Sequence, residues 1–209
     1  MKAEADMKKA LLIGDKNCAA YKSINGAAEV LPQIFSCEMD IADETTYGTL
    51  TYEDIKDYDM IVFKPADWGK TGTTEATVAL FTYILHGGNI LALNTGLNVG
   101  NCQELKLLFT SRFKAEAPYT EVDFIPTNAE LAAGVETVTV RDIPMMFNMD
   151  IFKQTNILMN IKFGNTTYPA VWAHPWSKGK VACLAAGLNG ENLKAFEALL
   201  KNIGSWFMA

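Results

Sequence analysis

Imidazole is scarce in this 209-residue chain, whose two histidines are His86 and His174. Acid–base catalysis near neutral pH draws first on histidine, so such chemistry here falls to those two residues or to carboxylates. Basic residues are outnumbered as well: 18 Lys and Arg stand against 24 Asp and Glu, a net charge of −6, and no Lys/Arg-rich run occurs. Phosphate backbones and anionic lipids are held by basic patches, so neither nucleic acid nor membrane is expected as a partner. Apolar runs are short, each interrupted by Gly, Asn, Lys or Asp well before the roughly 20 residues of a spanning helix. Residues 1–9 mix both charges, and the Ala10-Leu11-Leu12-Ile13 that follows is too short for the apolar core of an export signal. A cytoplasmic location is expected. Cys18, Cys37, Cys102 and Cys183 lack the close pairs of a zinc site and the density of a disulfide framework, so reduced thiols are expected. The sequon Asn165-Thr166-Thr167 has no consequence without export.

Nucleotide motifs are missing too. No G-x-G-x-x-G follows an apolar run, and Gly69-Lys70-Thr71 is no phosphate loop, because position 64 is Lys where that motif needs Gly. Scattered Asp residues with one available His make a poor metal set. No metal and no cofactor is expected.

What is present is 49% hydrophobic sequence, enough for a self-sufficient core. Short apolar runs alternate with amphipathic segments, the pattern of an α/β fold with strands covered on both faces. Strands are expected at 9–13, 34–39, 59–63 and 89–93, with helices at 23–31, 73–85 and 102–113. The second half changes character: strands at 119–125, 137–140, 157–162, 168–173 and 180–185 precede a last helix at 192–206, as antiparallel strands appended to a parallel sheet would. No repeat or Pro/Gly/Ser linker divides the chain, so a single domain over 1–209 is expected.

In such a sheet, ligands gather at the carboxyl ends of the parallel strands. Asp15, Asp67, Trp68, Asn94 and Asn98 follow strands one, three and four and would meet there. Two carboxylates, amides and an indole are the equipment of a polyol binder, the polar groups holding hydroxyls and the ring stacking on the sugar face. The same residues could instead cap helices and close the core. His174 lies two residues after Trp172 on one strand face, with Trp176 beyond it; it either moves a proton in the site or bonds a neighbouring loop. His86 suits a helix end. The run Met145-Met146-Phe147-Asn148-Met149, if exposed, would make a pocket lining or the interface of a homodimer.

The segments KKALLIGD (8–15), DYDMIVF (57–63) with ADWG (66–69), HGGNILALNTGL (86–97), YPAVWAHPWSKGKVACLAAGLN (168–189) and FEALLKNIGSWF (196–207) together resemble the ThuA-like proteins, named for trehalose utilisation. The resemblance implies a class I glutamine amidotransferase-like fold, a flavodoxin-like three-layer αβα sandwich. It also implies a carbohydrate or oxidised sugar as small-molecule ligand, with Tyr21, Asp142 and Asn189 added to the site. The chain departs from the family's polar positions, with Tyr21-Lys22, Asn94, Ala117-Pro118, Ile143 and Leu188 where His or Glu is usual. The amidotransferase elbow presents a Cys, whereas the matching stretch here is Leu93-Asn94-Thr95-Gly96-Leu97. Thr95 would need an adjacent base to attack. Two functions stay open: a small-carbohydrate enzyme or binder with His174 as its proton carrier, and a catalytically degenerate module for ligand sensing or assembly.

Overall fold

Successive residues of the early strands point to opposite faces, and both faces are apolar, which calls for a layer of helices on each side. The computed structural model describes residues 9–187 and 189–209; the mixed-charge start at 1–8 and the departure at Leu188 lie outside the described residues. In chain order the elements are β1 (Lys9–Gly14), α1 (Asn25–Phe35), β2 (Glu38–Ala42), α2 (Tyr52–Ile55), β3 (Met60–Lys64), α3 (Trp68–Thr71), α4 (Thr74–Leu85), β4 (Asn89–Leu93), α5 (Gln103–Leu108), β5 (Ser111–Glu116), β6 (Thr120–Pro126), β7 (Val138–Asp142), β8 (Met145–Met149), β9 (Asn156–Phe163), β10 (Thr166–Trp176), β11 (Gly179–Leu184), α6 (Gly190–Ala195) and α7 (Glu197–Met208). Ala10, Leu12, Met60, Val62, Leu91 and Leu93 bury against α1 and α7. The intervening Leu11, Ile13, Ile61, Phe63, Ile90 and Ala92 bury against α4 and α5 on the other face. The product is a three-layer αβα sandwich.

The main sheet has the order β2-β1-β3-β4-β11-β10-β9-β6-β7. Its first five strands are parallel, in flavodoxin-like order, and the remaining four are joined antiparallel. A separate antiparallel pair, β5 and β8, lies over β10, where the Phe147 and Trp172 rings come within 5.4 Å. Met145, Met146 and Phe147 are buried there. The first three residues of the methionine run are therefore core, because as a strand they have a sheet to pack against, while Asn148 is exposed and Met149 half-buried.

Element boundaries differ from the sequence expectation in three places. α1 runs on to Phe35 through Pro32, displacing the strand expected from 34, because Ala27, Val30, Leu31 and Ile34 form one buried helical stripe. Packing outweighs the usual bias against helix ahead of proline. The helix expected to reach 113 ends at Leu108, and Thr110 turns the chain with a φ of +53° into β5. The last helix is likewise split into α6 and α7 at Phe196.

α1 crosses α6 closely because two glycines face each other: a Cβ on Gly26 would lie 2.5 Å from the Gly190 nitrogen. Backbone sits on both sides, so nothing flexible can yield. G26V is expected to cost about 1–3 kcal/mol, read as a lower midpoint in urea unfolding with unchanged slope.

Candidate functional site

β4 is buried along its whole length and runs straight into a single 3-10 turn, Asn94–Leu97. Asn94 opens that turn with a φ of +41°, a conformation that asparagine tolerates better than most residues. Gly96 permits the turn to lie against β3, since a Cβ there would stand 2.3 Å from the Phe63 carbonyl oxygen. A strand that breaks at a strained residue, followed two positions later by glycine, is the shape of a nucleophile elbow. Here the elbow residue is an amide. Asn94 is 2% exposed, and its Nδ2 donates to the Ala185 carbonyl at 3.4 Å. The Thr95 hydroxyl is buried beside it and has no partner among the described residues.

A pocket of about 80 Å³ opens over this turn. A single water needs roughly 10–15 Å³, so the pocket has room for several waters or a small polar group. Asn94, Thr95, Asn98 and Tyr21, all expected from the sequence, line it, together with Lys22 and Glu116, which were not, and Met145, from the methionine run that the sequence offered as a pocket lining. Glu116 and Met145 are paired at one end of the β5–β8 ribbon, a strand pair that sequence periodicity missed.

Around the pocket the fold buries three ionisable groups and bonds each to backbone. Asp15, 8% exposed, accepts from the Ala66 N–H at 2.7 Å and from the Tyr47 hydroxyl at 3.3 Å. Burial pushes the Tyr47 pKa up to about 12, with the Asp15 charge adding to it. Asp142, fully buried, accepts from Ile143 N–H, Gly187 N–H and Asn192 Nδ2. Neither carboxylate lines the pocket, although both lie at this edge. Lys64, which ends β3 and read as loop in the sequence, is 1% exposed and donates to the carbonyls of Lys22 and Ser23 at 3.0 and 2.9 Å. Burial pulls its pKa down to about 8 against the pull of Cys18, Asp142 and Asp15. Its signal in the sequence was a lysine directly continuing a doubly buried strand.

The other expected site residues are elsewhere or already employed. Asp67 forms a surface ion pair with Lys70 at 3.2 Å. Trp68 is core: it stacks on Tyr47, meets Phe63 edge-on and donates to the Thr77 hydroxyl. Asn189 caps α6 by accepting from Asn192 N–H. Cys102, at the N-cap of α5, lies outside the elbow, and burial raises its thiol pKa.

His174 lies apart from the Asn94 turn. β10 runs antiparallel to β11, so its carboxyl end reaches the amino edge of the parallel strands. His174 pairs with Val181, and Val181 with Ile90, four residues before Asn94. That places it two strands across and about 13 Å down the sheet from the elbow, at roughly 3.3 Å per residue. Its ring is 3% exposed, and Nε2 lies 2.9 Å from the Leu108 carbonyl oxygen, while Trp172 Nε1 donates to the Phe109 carbonyl. These two side chains of β10 satisfy carbonyls that the end of α5 leaves open. Burial holds the His174 pKa below the ordinary 6.5, the Leu108 carbonyl working against it and Lys153 adding to it. Trp176, with Phe81 and Lys153 against its ring, sits at that same distant edge. His86 is exposed at the end of α4.

Among the described residues, no group of three or more His, Cys, Asp or Glu is arranged to hold a metal, and no helix is long and apolar enough to cross a membrane. No family model matches the sequence, and no curated protein is similar to it. Solved structures do share its fold. A ThuA-like protein of Bacteroides uniformis ATCC 8492 is 16% identical with a TM-score of 0.73, over 97% of this chain and 91% of that one. A ThuA-like protein of Parabacteroides merdae ATCC 43184 is 14% identical, with a TM-score of 0.73 over 97% and 90%. A cytoplasmic protein of Salmonella typhimurium LT2 is 14% identical, with a TM-score of 0.67 over 94% and 98%.

Two pH dependences follow from the buried groups. The unfolded chain protonates His174 near pH 6.5 while the native chain resists, so this residue favours the folded state above that pH and the advantage is lost as the pH falls. H174Q keeps a donor for Leu108, and its unfolding free energy is expected to drop less between pH 7.5 and 5 than the wild type's, measured by urea titration. Native Lys64 sheds its proton near pH 8 while an unfolded lysine holds it to about 10.5, so stability gains with rising pH across that window. Relative to K64M, the wild type is expected to gain up to about 3 kcal/mol there.

Proposed function

We propose that this chain is a ThuA-like protein that binds a small hydroxylated molecule, a sugar or its oxidised derivative, over the Asn94 turn and holds it without using an elbow nucleophile. The observation that carries this reading is an elbow whose strained residue is an amide, ringed by hydroxyls and amides, with the nearer histidine of the sheet on the opposite edge. Asn94, Asn98, Thr95 and Tyr21 offer donors and acceptors for vicinal hydroxyls, and Glu116 can accept two more. Met145 gives an apolar surface for the C–H face of a ring.

The surroundings favour binding over turnover. Elbow enzymes stabilise an oxyanion with the N–H after the nucleophile and a second N–H from a neighbouring strand's loop. In the loop after β3, the Ala66 N–H is taken by the Asp15 carboxylate. That places a negative charge where an oxyanion would need a donor. Of the two functions left open by the sequence, this is the one without catalysis.

The test is a thermal-shift screen of neutral monosaccharides, disaccharides and sugar acids, with NMR of the recovered ligand. A ligand at one hundred times its dissociation constant adds about 2.7 kcal/mol, or roughly 5–10 °C in Tm at this chain length. The ligand is expected back unchanged, and N94A and N98A are each expected to weaken binding about tenfold or more. Binding indifferent to both variants, or steady conversion of the ligand, would sink the proposal.

A further inference from the structure

The six-residue loop between β8 and β9 presents Ile151 at 86% and Phe152 at 90% exposure, far more than any other large apolar side chains among the described residues. The turn that carries them is well held: Asp150 N–H donates to the Thr110 carbonyl, and the Asp150 carboxylate accepts from Phe152 N–H at 3.0 Å. A pre-ordered apolar knob forfeits little entropy on binding. Beside it lies a groove of about 300 Å³, ample for a phenyl ring, since a cavity of roughly 150 Å³ takes benzene. Leu107 and Met149, with Ile151 and Phe152 themselves, line its apolar side, and Lys106, Arg112 and Asp150 are its charged lining. On its floor is Ser111, 3% exposed, whose hydroxyl is buried without a partner among the described residues.

Knob and groove on one face are what a two-fold axis makes reciprocal. Charge points the same way: Asp150, at the base of the knob, lines this groove together with Lys106 and Arg112, so the face carries both signs for a second copy to pair, with the basic side chains in excess on a chain of net charge −6. We propose that this face joins two copies of the chain, Phe152 of each seated in the groove of the other, with Asp150 against the partner's basic side chains. The proposal does not depend on the ligand pocket.

Sedimentation velocity of the full chain over a concentration series tests it. The wild type is expected to be a dimer. F152D is expected to weaken dimerisation at least about thirtyfold, the mark of a central anchor, and R112E to weaken it as well. Both sites are exposed, so circular dichroism and Tm should stay at wild-type values and report folding separately. A wild type that is monomeric up to its solubility limit, or a dimer that either folded variant leaves intact, overturns the proposal. So does a monomer that instead binds anionic vesicles through Phe152.

Discussion

Charge buried at one end of the sheet must be met by hydrogen bonds, and in this protein they come from backbone groups, with the Tyr47 hydroxyl and the Asn192 amide added. Unpaired, Asp15, Lys64 and Asp142 would each cost several kcal/mol. Asp15 gathers the loop after β3, Lys64 gathers the loop after β1, and Asp142 gathers the turn after β11 and the start of α6. The pocket over Asn94 is bounded by loops tied down in this way.

Strand direction then decides what chemistry the pocket can reach. A histidine on a parallel strand's carboxyl end would have joined Asn94, but β10 returns antiparallel and carries His174 to the other edge, where it closes the end of α5. The elbow keeps its strained φ and its close glycine without a side chain able to attack. Geometry of this kind serves a ligand as well as a nucleophile, because it brings a side chain and the following residue together at the end of a rigid strand.

Much of the architecture was legible in the residues. Runs such as Met60–Lys64 and Asn89–Leu93 are buried on both faces, and only a parallel strand under two helical layers asks for that. The β5–β8 ribbon escaped notice because Ser111–Glu116 carries only two apolar residues, Phe113 and Ala115, and follows a helix whose stop is a threonine at positive φ, a residue that rarely marks one. Half the candidate site escaped for a different reason. Asn94 and Asn98 follow β4 closely, so local order placed them, whereas Tyr21 came from the family resemblance. Trp68 and Asp15 also follow strands, yet their partners Tyr47 and Ala66 are fixed only by tertiary packing. No spacing rule could assign His174 its edge without knowing which way β10 runs.

The order of the strands in space also bears on how the chain is made. β4 has β3 on one side from the start, but its other neighbour, β11, is synthesised about ninety residues later. Until Gly179–Leu184 emerges, a doubly apolar strand stands with one hydrogen-bonding edge open, the situation that invites pairing with another chain. Closing that gap is a long-range event and therefore a slow one. A nascent chain stalled before residue 179 would be expected to need a chaperone, whereas one released after it would not.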